Sequence, residues 1–154
     1  MLALLATLVL LYLRVDAWRA PVRGAERWCL DLPFAVYLGW ISVATIANTA
    51  IFLVSQGVDG GGSAPLVTIV MVAAAALLGL LAAATRRDWG YTLVIAWGLG
   101  GIAAARAAEG AGTGGIVTAA LIAVGVLVAA SLVAMVVRGR ERSSLAAAYG
   151  ATRV

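Results

Sequence analysis

Five long apolar runs, separated by short polar clusters, constrain this chain more than any other feature. They extend from Met1 to about Val15, Pro33 to Gln56, Ala64 to Thr85, Gly90 to Ala107 and Gly115 to Val137. A helix that crosses a bilayer needs about 20 apolar residues. Backbone in hydrocarbon must satisfy its own hydrogen bonds, which leaves helices or closed barrels. The runs are continuous and lack the two-residue alternation of a membrane barrel strand. The spacing therefore predicts an all-α membrane protein, a bundle of about five transmembrane helices over residues 1–138. The polar remainder, 139–154, is predicted to be a cytoplasmic tail, read as a short surface helix or as unstructured. Composition agrees, with 64% hydrophobic residues and only 12% charged. A soluble domain carries about 25% charged residues.

The positive charges give an orientation. All eleven are arginines, and the net charge is +4. Arg14, Arg19, Arg23 and Arg27 follow the first run, Arg86 and Arg87 the third, and Arg138, Arg140, Arg142 and Arg153 the fifth. Serial helices put these three groups on one side of the membrane, with only Arg106 on the other. The positive-inside bias then predicts an outside N-terminus and a cytoplasmic C-terminus in a multi-pass protein of the cell membrane. Trp18, Trp28, Trp89 and Tyr91 fall near the cytoplasmic boundary, where amphipathic rings anchor. Charge follows the first run instead of preceding it, so this run reads as an uncleaved helix and not a signal peptide. Arginines at the ends of apolar runs are topological signals, and no nucleic-acid partner is expected.

Little in the chain points to catalysis. It contains no histidine and no lysine. Its acids, Asp16, Glu26, Asp31, Asp59, Asp88, Glu109 and Glu141, all lie in loops or at helix ends. No ionisable group sits mid-membrane, which argues against proton or ion coupling. Cys29 is the single cysteine, so neither an intrachain disulfide nor a thiolate metal site is expected. Arg106 is read as snorkelling to the interface or pairing with Glu109 three residues on, with capture of a substrate as the less favoured alternative.

The second run, PFAVYLGWISVATIANTAIFLVSQ, is the most informative. At 100° per residue, Ser42, Thr45, Thr49 and Gln56 cluster within about 60°. Pro33, Tyr37, Trp40 and Ala44 line roughly the opposite face, and Asn48 borders the polar stripe. An unpaired amide in hydrocarbon costs several kcal/mol. Asn48 is therefore read either as interhelical hydrogen-bonding glue or as a ligand-lining group. Trp97, beside Gly98, Gly100 and Gly101, is read either as a packing residue or as one wall of an aromatic pocket. Ala75, Gly79 and Ala83 form a small-residue row, continued by Gly125 and Ala129, for close helix packing.

The stretch YLGWISVATIANTAI resembles the last helix of the TspO/MBR family, the tryptophan-rich sensory and translocator proteins. That helix reads approximately P-Y-L-x-W-x-x-[FV]-A-x-x-x-N-x-x-[IV]. Tyr37, Leu38, Trp40, Ala44, Asn48 and Ile51 match it, and the Trp-to-Asn spacing of eight is kept. Pro33 is displaced, the helix is second instead of last, and the family's W-x-P-P segment is absent. The chain is more similar to a divergent group that carries P-F-x-x-Y-x-G-W-x-x-V-A-x-x-A-N mid-chain. There Pro33, Phe34, Tyr37, Gly39, Trp40, Val43, Ala44, Ala47 and Asn48 match. On that comparison the chain would be expected to lack an N-terminal helix, consistent with its abrupt start at Met1.

The resemblance implies a non-enzymatic, bacterial tryptophan-rich sensory protein that binds a tetrapyrrole or another flat hydrophobic ligand between helices. Tyr37, Trp40, Ala44, Asn48 and Trp97 are the expected ligand-binding residues. With no histidine, a haem-type ligand would stack on rings and bond through its propionates. Besides the bilayer and a hydrophobic small molecule, a second copy of the chain is an expected partner, through the small-residue faces. The alternatives are a non-catalytic assembly subunit and a small passive transporter.

Overall fold

A computed structural model describes residues 2–17, 32–57, 64–110 and 112–151. Trp18, Trp28, Cys29 and most of the Gly57–Ser63 turn lie outside the described residues. The described residues form helices and short turns. In order these are α1 (Leu2–Ala17), α2 (Leu32–Ser55), α3 (Ala64–Arg86), α4 (Trp89–Ala108) and α5 (Gly114–Ala151). The chain is thus an all-α membrane bundle, as its apolar runs require. Four helices are long and apolar enough to cross a membrane, with mean hydropathies of 1.3 to 2.8. The 16 residues of α1 rise about 24 Å, short of a hydrocarbon core of about 30 Å.

The turn between α3 and α4 consists of Arg87 and Asp88 alone. Arg87 adopts a left-handed φ of 52° and donates its N–H to the Ala83 carbonyl at 3.1 Å, the αL way of closing a helix. Asp88 then caps α4, its carboxylate accepting the Tyr91 N–H at 3.1 Å. α5 continues as one helix to Ala151, through the segment read above as a tail. Gly139 does not stop it, because one glycine costs a helix only about 1 kcal/mol and good helix formers flank it.

α4 is the hub and packs against α2, α3 and α5. It buries Tyr91, Thr92, Ile95, Ala96, Leu99 and Ala103. Hydrophobic burial cannot drive this association, since lipid tails are as apolar as leucine; close packing and hydrogen bonds must do so. Ala75, Gly79 and Ala83 of α3 are all buried, as a small-residue packing row should be. A Cβ on Gly79 would stand 2.7 Å from Leu127 Cδ2 of α5. The Gly79 carbonyl also accepts a bond from Thr92 Oγ1 of α4 at 3.1 Å. The continuation of that row on α5 behaves differently. Gly125 and Ala129 are exposed, and no atom of the described residues outside the helix's own backbone lies within 4 Å of a Cβ on Gly125.

α2 and α4 run parallel and interlock at two glycines. Val94 of α4 sits over Gly39 of α2, and Val43 of α2 sits over Gly98 of α4. A Cβ on Gly39 would lie 3.0 Å from Val94 Cβ, and one on Gly98 would lie 2.9 Å from Val43 Cγ1. Both neighbours are β-branched and stiff at χ1. Gly98→Ala should therefore cost about 1–3 kcal/mol by overpacking. In thermal unfolding of the detergent-purified protein, Gly98→Ala is expected to lower the midpoint, Gly125→Ala to leave it nearly unchanged, and Val43→Ala with Gly98→Ala to recover most of the loss.

Candidate functional site

The interlock of α2 and α4 places Trp40 and Trp97 side by side. Their ring centroids are 5.4 Å apart with planes tilted by 36°. Both rings stay on the outer face of the bundle, Trp40 48% and Trp97 69% exposed. Tyr37 lies about one turn before Trp40 on the same stripe and is also exposed. Ala44 follows, half-buried, and then Asn48, exposed. Asn48 donates Nδ2–H to the Ala44 carbonyl at 2.8 Å, which lowers the cost of an amide at this depth. Each of the five residues expected from the sequence thus belongs to the α2–α4 side of the bundle. The face they form is turned outward, toward lipid, and is not a closed chamber. The glycines beside Trp97 divide in the same way. Gly98 receives Val43, whereas nothing lies within 4 Å of a Cβ on Gly100 or Gly101.

The other face of α2 holds the helices together. Ser42 and Thr45 are buried and donate to the carbonyls of Leu38 and Ile41, at 2.8 and 2.7 Å. Tyr91 of α4 donates its hydroxyl to Ser42 Oγ at 3.0 Å. Tyr91 is therefore not the interfacial anchor that its position in the sequence predicts. It is buried and supplies the polar bridge between α2 and α4. Thr45 and Thr49 bond to carbonyls of α2 itself, and Thr49 and Gln56 are exposed, so the stripe's bond to another helix is the one at Ser42.

A second polar cluster, hidden from sequence reasoning, closes the end of the bundle at the α3–α4 turn. Tyr12 of α1 donates its hydroxyl to Asp88 Oδ2 at 2.7 Å. The Arg86 guanidinium lies 4.8 Å from the centre of the same ring, and Phe34 of α2 stacks on it at 6.2 Å. An aspartate just before an apolar run is a legible N-cap signal. That Tyr12 reaches it across 76 positions of sequence is not. At the opposite end of α4, Arg106 pairs with Glu109 at 2.8 Å, one of the readings open from the sequence. Among the described residues no group of three or more His, Cys, Asp or Glu side chains could hold a metal.

A family model described as "TSPO-like protein" matches residues 1–133. No curated protein and no solved structure gives a match.

Two indoles this close couple electronically. The far-ultraviolet circular dichroism of the protein should carry an exciton couplet that disappears in both Trp40→Phe and Trp97→Phe. Its persistence in either variant would mean that the rings are not paired.

Proposed function

The chain belongs to the TSPO-like protein family, and on that premise we propose that it is a sensory-type membrane protein, not an enzyme, that binds a flat hydrophobic ligand of tetrapyrrole type on the outward face of α2 and α4. The observation that carries this reading is the Trp40–Trp97 pair, two large rings held together at membrane depth and left uncovered. Aromatic rings favour offset stacking with other π-systems, worth about 0.5–1.5 kcal/mol beyond area burial. Tyr37 extends the ring surface, and Ala44 is a small residue on the same stripe. Asn48 adds one amide, which suits a ligand with few polar groups. An outward face takes its ligand from the bilayer by lateral diffusion, and no gate is needed.

The chemistry of the chain limits how such a ligand is held. Without histidine, imidazole ligation of a haem-type iron is unavailable. Stacking on Trp40 and Trp97, with hydrogen bonds to peripheral carboxylates, is the mode the residues fit. Metal-free protoporphyrin IX is therefore the appropriate probe. The distribution of arginines supports an orientation with the C-terminus in the cytoplasm of a cell. An assembly role is the second reading. The open space at Gly100 and Gly101 and the outward Gly125 would also suit a partner helix or a second copy of the chain.

Titration of the detergent-purified protein with protoporphyrin IX, followed by tryptophan fluorescence, separates these readings. Saturable quenching at micromolar ligand is expected, and Trp40→Ala or Trp97→Ala should weaken it about tenfold. Both side chains are exposed, so both variants should still fold. Linear quenching that neither substitution changes would mean partition into the micelle and would favour the assembly reading.

A further inference from the structure

A separate cleft of about 140 Å³ opens where α2, α3 and α4 meet, near the Arg106 end of the bundle. Ala47 and Ile51 of α2, Met71 and Val72 of α3, and Ile102 and Arg106 of α4 are among its walls. It shares no residue with Tyr37, Trp40, Ala44, Asn48 or Trp97. Its α2 residues run from Val43 to Ile51, which is about 12 Å along the helix axis. The lining is apolar except for Thr68 and Arg106, so the cleft is a hydrocarbon slot with one cation at its end. Its volume is close to that of a cavity of about 150 Å³ that stays dry and accepts benzene.

Glu109 balances the Arg106 charge but engages only one nitrogen of the guanidinium. Glu109 receives two bonds from Arg106, at 2.8 and 3.1 Å, and both come from Nη1. Nε and Nη2 have no hydrogen-bond partner among the described residues. A guanidinium presents five donors in a planar fork and suits carboxylate or phosphate oxygens. A charge at the membrane boundary, beside an apolar slot, gains most from an anion that brings its own hydrocarbon.

We propose that this cleft is a second ligand site, which takes a segment of the hydrocarbon chain of an anionic amphiphile between α2, α3 and α4, the rest lying in the lipid, while the carboxylate or phosphate head engages Arg106. The site is independent of the aromatic face and stands whether or not a tetrapyrrole binds there. Glu109 competes with the head group, because it occupies one nitrogen and repels a second anion. The Arg106–Glu109 pair thereby sets the affinity of the slot as well as closing the α4 end.

Native mass spectrometry of the full chain in a neutral detergent tests this with oleate, phosphatidylglycerol and uncharged oleyl alcohol as probes. One oleate or one phosphatidylglycerol per chain is expected, held at least about tenfold more tightly than the alcohol, the range of one charge-assisted hydrogen bond. Arg106→Gln should abolish that preference, and Glu109→Gln should strengthen binding of the anions but not of the alcohol. Ala47→Leu, which fills the slot, should weaken all three probes. Retention of oleate alone would identify a free fatty acid as the ligand, and retention of phosphatidylglycerol alone a bilayer lipid. Equal binding of oleate and oleyl alcohol, or anion binding unchanged by Arg106→Gln and Glu109→Gln, would overturn the proposal. Both variants change exposed side chains and should fold, so the test does not depend on Ala47→Leu.

Discussion

The contact between α2 and α4 at Gly39 and Gly98 is the constraint on which the rest of the structure depends. Each glycine receives a valine from the other helix, and a methyl group at either site would crowd that valine. Lipid offers no hydrophobic gain for helix association, so close approach of this kind is what selects one arrangement over others. The approach fixes the parallel register of the two helices. It sets Tyr91 against Ser42 on the buried side and Trp40 against Trp97 on the lipid side. Glue and candidate ligand face are thus two consequences of one packing event.

α4 distributes that order through the bundle. Thr92 and Ile95 meet Gly79 of α3, which in turn meets Leu127 of α5. Asp88 starts α4 and also receives Tyr12, so the shortest helix is tied to the tightest turn. At the far end, Arg106 and Glu109 finish α4 beside the apolar cleft. The two candidate sites draw on different residues of α2, one aromatic and lipid-facing, the other aliphatic and ended by a charge.

The class of fold was legible because bilayer thickness dictates helix length, and the apolar runs report that length directly. The stripe of Tyr37, Trp40, Ala44 and Asn48 was legible because helical periodicity places those positions on one face. Partner choice was not. Nothing in a run of glycines tells Gly98, which receives Val43, from Gly100 and Gly101, which receive nothing. Periodicity gives the angle of a residue around its own helix but not which neighbour stands there, so Tyr91 read as an anchor and is a bridge. The same gap hid the Tyr12–Asp88 bond, which joins two distant segments. It also hid the outward turn of Gly125 and Ala129, whose composition matches that of a packed row.

Disulfide trapping in native membranes tests the α2–α4 interlock most directly. A Cβ on Gly98 would stand 3.4 Å from Val43 Cβ, close to the separation of about 3.5–4.5 Å in a disulfide. In a Cys29→Ser background, Val43→Cys with Gly98→Cys should form an intramolecular disulfide on mild oxidation. Val43→Cys with Gly101→Cys, shifted by most of a turn, should not. Efficient cross-linking of the shifted pair, or none of the 43–98 pair, would contradict the register that brings Trp40 and Trp97 together.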